Sequence, residues 1–260
     1  RSDPQQWISL CLELLQGITC SINTSDNGSS SAVTNGSRVH VVFYVLNSFQ
    51  KCLRSGWSAT KSSAIDMNVR LKIRAAVWSY LQHLHQQLLV AAASSTDLMP
   101  PAFIRTKIAV VLAQCLQYDF PHHWSSAFDD ILSLIVSINS SGNGAANSRS
   151  MAHWLLEDVF VRTCEAISEE IVVFRVDRSK EEVKRNNEVK DRMKGGGAVV
   201  LKKLTQAMLG IIEARRNLRS GGTGDELCVL TLSTLKRYLG WMDWAIITGI
   251  DDDSSNHHVL

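Results

Sequence analysis

Residues 103–138 read Phe103-Ile-Arg-Thr-Lys-Ile-Ala-Val-Val-Leu-Ala-Gln-Cys-Leu-Gln-Tyr-Asp-Phe-Pro-His-His-Trp-Ser-Ser-Ala-Phe-Asp-Asp-Ile-Leu-Ser-Leu-Ile-Val-Ser-Ile138. Apolar residues at Ile104, Ile108, Val111, Leu112, Cys115 and Leu116 recur every three or four positions, the period of a helix with one buried face. Trp124, Phe128, Ile131, Leu132 and Ile135 repeat the pattern. Pro121 lies between the two runs. It disfavours helical geometry at Phe120 and supplies no N–H, so it ends the first helix. The stretch is expected to be an antiparallel helix pair sharing one apolar seam. A single pair cannot hide such a seam, whereas stacked pairs can.

Outward from this stretch the same grammar recurs. Helices are expected at 4–20 (Trp7, Ile8, Cys11, Leu14, Leu15 and Ile18 inward), 38–54 (Val42, Val45, Leu46, Phe49, Leu53) and 66–92 (Val69, Ile73, Val77, Tyr80, Leu81, Leu84, Leu88). Further helices are expected at 151–174, 180–194, 198–217 and 225–248. Ser179-Lys-Glu-Glu182 has the form of a capping box. Gly195-Gly-Gly197 is expected to interrupt or kink the helix that follows. Stretches rich in Ser, Asn and Gly near 21–37, 140–150 and 219–224 read as loops, too polar to offset ordering entropy by burial. No segment carries a convincing strand period. The expected fold is all-α, a right-handed α-solenoid of HEAT-like antiparallel helix pairs. The chain's ends suggest a piece of a longer protein.

The 260 residues are 45 % apolar with a net charge of +2 and only 4 Pro. A near-neutral chain offers no global attraction for polyanions, so any nucleic-acid site must be a local patch. The six cysteines include no C-x-x-C spacing, and most fall on apolar faces, where a free thiol behaves as a small hydrophobe. No apolar run reaches about 18 residues, so no membrane span is expected.

Candidate chemistry is sparse. The helix at 180–194 carries Lys184, Arg185, Lys190 and Arg192 among its basic residues. They could face phosphates or an acidic protein surface. They could equally lie on a solvated helix laced with pairs such as Glu181–Arg185 and Glu188–Arg192. Arg105 and Lys107 sit at a helix start, where the dipole disfavours cations. Arg70, Lys72 and Arg74 are placed similarly on their own helix. His83-x-His85 and His122-His123 lack carboxylate or thiol partners at ligand spacing, so no metal is expected. None of the Gly-rich stretches leads into the Lys-Ser/Thr of a phosphate loop, and no nucleophile elbow or zinc-protease motif is present. No enzymatic activity and no cofactor is expected.

Phe103-Ile-Arg-x-Lys107 followed by Phe120-Pro-x-x-Trp124-x-x-x-Phe128-x-Asp130-Ile131 resembles the exportin branch of the importin-β (karyopherin) family. Arg185-Asn-Asn-x-x-Lys190-Asp-x-Met193 and Tyr238-Leu-x-Trp241-Met-Asp243 are similar to the tRNA-carrying members of that branch. The resemblance spans roughly residues 38–250. It implies that residues 1–260 form an N-terminal HEAT-repeat, exportin-1-like region. It implies a nuclear export receptor that binds tRNA cooperatively with Ran-GTP and carries it past nucleoporins, shuttling between nucleus and cytoplasm. The GTP would be held by Ran. No membrane or DNA partner is implied. Three readings stand beside this one: an exportin carrying hairpin RNA or protein, a HEAT scaffold with no transport role, and a helical enzyme, which would show an isolated pocket of convergent polar residues. The family's contact residues do not reduce to a short motif, so the basic groups read from the sequence, Arg70, Lys72, Arg74, Arg105, Lys107, Lys184, Arg185, Lys190 and Arg192, stand as candidates for contact with RNA or Ran.

Overall fold

A computed structural model describes residues 4–22, 32–58, 65–90, 99–139, 151–173, 175–217 and 223–241. Among them lie eight α-helices: α1 (Pro4–Ile22), α2 (Ala32–Ser58), α3 (Met67–Val90), α4 (Ala102–Asp119), α5 (Ala127–Asn139), α6 (Met151–Ile167), α7 (Lys180–Asn217) and α8 (Thr223–Leu239). A π-helical turn, Ser168–Val172, extends α6. No strand occurs among the described residues. The fold is an all-α, HEAT-like solenoid.

Consecutive helices pair as α1/α2, α3/α4, α5/α6 and α7/α8. Alternate helices also stack, α2 on α4, α4 on α6 and α6 on α8, and in the other row α1 on α3 and α5 on α7, while α3 packs against α6 rather than α5. Side-chain partners fix the directions. Across α4 and α6 the partners keep a nearly constant separation of 53 positions for Arg105–Asp158, 56 for Thr106–Arg162 and 53 for Gln117–Glu170, so these helices run parallel. Arg70 and Arg74, early in α3, reach Asp119 at the end of α4, so the helices of that pair are antiparallel. Grooves of about 720 and 660 Å³ open along α1, α3 and α5.

The stretch that set the fold behaves differently from the expectation in one respect. Its two helices form, and Phe120 ends the first in an extended conformation (ψ 140) ahead of Pro121. They do not share a private seam. α4 lies mainly against α6 and α2, and α5 mainly against α6 and α7. The turn at Pro121 is therefore the link between two repeats, not the hairpin inside one. α4 is the reason: Ile104, Ile108, Val111, Leu112, Cys115 and Leu116 are at most 1 % exposed, and Ala109, Ala113, Gln114 and Gln117 are buried as well. A helix buried nearly all round must have neighbours on several sides.

Boundaries moved where polar sequence hid helix. α2 begins at Ala32, inside the stretch read as loop, while residues 23–31, 140–150 and 218–222 lie outside the described set. α8 begins at Thr223, also inside an expected loop, and residues 242–248 of the last expected helix fall outside the description. α7 runs on through Gly195–Gly197, but Ala198 sits at φ 55, so the helical backbone is broken in hand at that residue. Of the α1 stripe, Ile8, Cys11 and Leu15 are buried, whereas Trp7 and Leu14 are substantially exposed. Half of the expected capping box forms. The Glu182 N–H donates to Ser179 Oγ at 3.1 Å, while the Glu182 carboxylate turns to Arg178 at 3.1 Å.

Candidate nucleic-acid interface

The nine cations singled out from the sequence divide by what they touch. Arg70 and Arg74 both bond Asp119, which is fully buried, at 3.2 Å each. Arg70 also lies over the Tyr118 ring and Arg74 over the Trp124 ring, at 5.4 and 4.6 Å. Arg185 donates to the carbonyls of Gln117 at 3.1 Å and Tyr118 at 3.0 Å, and also to that of Phe120. Three guanidiniums thus gather at the C-terminus of α4, where unpaired carbonyls and the helix dipole favour cations. Arg105 is 6 % exposed. It bonds Asp158 at 2.6 Å, donates to Pro100 O at 2.6 Å and stacks over Trp154 at 4.6 Å. Asp158 and the Pro100 carbonyl offset the unfavourable dipole at the start of α4. These four side chains hold the fold together.

The other five are differently placed. Lys72, Lys184 and Arg192 are exposed, and Lys190 is half-buried, with burial and then the nearby Arg178 lowering its pKa. The expected pairs along α7 are replaced: Arg185 bonds Glu188 at 2.6 Å, and Glu188 also meets His122 at 2.9 Å. Lys107 crosses from α4 to α2. Its ammonium bonds the Gln50 amide oxygen and sits 5.7 Å from the Phe43 ring. Its pKa is lowered by burial first, and then by Arg54 and Lys51. Three cations therefore converge on the even-numbered row: Lys51 and Arg54 of α2 and Lys107 of α4.

Lys51 and Arg54 were missed in the sequence. They sit at i and i+3 on the polar side of α2, so the periodicity that exposed the buried stripe also marked their face. Only packing brings them beside Lys107. Next to Arg54 is a pocket of about 240 Å³ between α2, α4 and the segment leading into α7, lined on that segment by Arg175, Asp177, Arg178 and Ser179. Arg54 bonds Glu170 across it at 2.6 Å, with half of the Arg54 side chain still exposed.

Several of the residues that carry the family resemblance are structural. Trp124 donates its indole N–H to Asp130 at 2.6 Å, and Phe120 meets the edge of Phe128 at 4.9 Å, which fixes the turn between α4 and α5. The buried Asn186 accepts from Gln117 at 2.6 Å, tying α7 to α4. The Tyr238 hydroxyl donates to Cys164 O at 3.0 Å, tying α8 to α6. The exportin 1-like protein family matches residues 101–250, the span that these ties assemble.

The chain belongs to the exportin 1-like family. Curated relatives of this exportin-family chain bear the name Exportin-T. The protein from Dictyostelium discoideum is 28 % identical over 144 residues, covering 55 % of this chain and 11 % of its own length. Those from Arabidopsis thaliana (22 % over 209 residues) and Saccharomyces cerevisiae strain S288c (25 % over 252 residues) cover 80 and 95 % of this chain and 18 and 21 % of their own. The exportin-family chain thus spans about a fifth or less of the relatives it matches. No solved structure gives a significant match. Among the described residues, no helix is long and apolar enough to cross a membrane, and no group of three or more His, Cys, Asp or Glu is placed to hold a metal.

Proposed function

We propose that this chain serves as the N-terminal repeats of a nuclear export receptor that binds tRNA together with Ran-GTP. Membership of the exportin family carries the reading, and the name Exportin-T on its relatives supports tRNA as the cargo. The even-numbered row of helices supplies the physical means. Lys51, Arg54 and Lys107 lie together on it, and phosphate contacts by such cations provide sequence-independent affinity for a folded RNA. Lys72, Lys184, Lys190 and Arg192 are further exposed or half-buried candidates for RNA or Ran. Arg70, Arg74, Arg105 and Arg185 act by holding the helices that present them.

Cooperation between the two partners follows from linkage. If Ran-GTP and tRNA favour the same curvature of the stack, each raises affinity for the other by the same factor, typically on the order of 1–3 kcal/mol. GTP stays with Ran. Loaded receptor passes nucleoporins, releases cargo when the GTP is hydrolysed, and shuttles between nucleus and cytoplasm. The test is a pull-down with Ran locked in its GTP form, with and without tRNA. Retention of both, each enhanced by the other, is expected. Retention of neither would leave a HEAT scaffold without a transport role.

A further inference from the structure

We propose that the pocket between α2 and α4 receives one unstacked nucleobase of bound RNA, with the Gln114 amide pairing to its edge. The inference rests on the reading of the chain as an RNA receptor and adds a subsite to it. Gln114 is 2 % exposed, lines this pocket, and neither its Nε2 nor its Oε1 has a hydrogen-bond partner. An amide buried without a partner forfeits its hydrogen bonds to water and destabilises the fold. The fold keeps that cost, and with it an adjacent donor and acceptor covered just behind the lining of a cavity of about 240 Å³, so a guest reaches them as the lining side chains move aside.

The lining chooses the guest. Arg54, Arg175 and Arg178 are balanced by Glu170, Asp177 and Glu182, so the pocket carries no net charge. Arg54 is paired with Glu170 at 2.6 Å and Arg178 with Glu182 at 3.1 Å. With two of the three guanidiniums already paired, a phosphate inside would find little uncompensated positive charge and three carboxylates nearby, so the guest is neutral. Guanidinium planes stack on bases, so the guest is flat. An amide that both donates and accepts pairs with a base edge that offers the complementary couple, as glutamine does with adenine. Outside the mouth, Lys51 and Lys107 flank Arg54 and can hold the phosphates on either side of the inserted nucleotide.

The experiment uses the ¹⁵N-labelled chain and two probes of equal length and charge, a short single-stranded RNA and an abasic ribose–phosphate oligomer. The Gln114 side-chain amide signal is assigned by its loss in Gln114→Leu. That variant removes a buried unpaired group and keeps the volume, and Gln114→Met serves as a second of similar shape. The Gln114 signal should shift with the RNA and not with the abasic oligomer. The RNA should bind on the order of tenfold tighter than the abasic oligomer, the worth of one good base-edge pair. Both variants should lose that difference and keep the abasic affinity. Equal affinity for the two probes, or an unmoved Gln114 signal, overturns the base pocket while leaving RNA binding intact. A shift with a glutamine-rich peptide and none with RNA overturns it in favour of a polypeptide guest. If the parent chain binds neither probe, nor tRNA in the presence of Ran-GTP, the receptor reading falls as well.

Discussion

Asp158 shows how a single position carries several others. It accepts from Arg105 at 2.6 Å and from Arg162 at 2.7 Å while only 1 % exposed. Removing one partner of a buried pair costs about 3–5 kcal/mol, because the survivor keeps an uncompensated charge. Asp158→Ala strands two guanidiniums and should cost at least the upper part of that range. Arg105→Ala leaves Asp158 with Arg162 and should cost about 3 kcal/mol. Urea unfolding of both variants checks the order, and equal costs would mean that Arg162 does not hold the carboxylate. Cysteine chemistry gives a second expectation at this scale. Burial pushes the Cys115 and Cys164 thiols far above their ordinary range, and the Cys52 thiol up to about 11. The thiolate is the reactive form. In the native protein, iodoacetamide at pH 8 should leave Cys115 and Cys164 unmodified, as peptide mapping would show, and unfolding should expose both.

Among the elements, α7 is the longest helix described and carries a glycine at an exposed interior position. A Cβ at Gly210 would meet nothing within 4 Å. Gly210→Ala should therefore stabilise the chain by about 0.5–1 kcal/mol through helix propensity alone, read as a raised Tm. The packing of α3, which meets α6 through His85 and His153, should be pH-sensitive. His83 and His85 have buried Nε2 atoms without partners. Burial lowers the pKa of both, and His153 on α6 lowers that of His85 further. A base whose folded pKa lies below its unfolded value of 6.5 is held neutral by the fold. Its contribution is full above pH 6.5, declines as the pH falls below that value, and is gone once the pH is beneath the folded pKa. Tm should thus drop on acidification from pH 7 to 5.5, and replacing both residues by leucine should reduce the slope.

For the molecule as a whole, if the cations of the even-numbered row hold phosphates as proposed, tRNA binding should depend steeply on salt. Each cation withdrawn from a phosphate should lower the slope of log K against log salt by roughly 0.7–0.9. Lys51→Glu, Arg54→Glu and Lys107→Glu together should therefore weaken tRNA binding and flatten that slope by about 2–3. Circular dichroism controls for folding. An unchanged slope would move the RNA site off this row of helices. Reversing Lys184 and Arg192 on α7 separately tests the other exposed cations.

Much of this architecture was written in periodicity. Ile104, Ile108, Val111, Leu112, Cys115 and Leu116 marked α4 because a helix turns once every 3.6 residues, and all six are buried. Pro121 marked the break for an equally local reason, the conformation it imposes on Phe120. What covers α4 was not local. Helical spacing shows that a face is apolar, but it does not name the neighbour, so a sequence-adjacent partner was expected where α6 and α2 provide the cover. The charged residues follow the same division. Residue type alone showed where cations stood along the chain. Tertiary structure decided that Arg105 and Arg185 spend their charge on Asp158 and on the carbonyls of α4, and that Lys51, Arg54 and Lys107 converge. The reason is range: backbone geometry acts over a few residues, whereas the partner of a charge is set by whichever helix packing brings within a few ångströms.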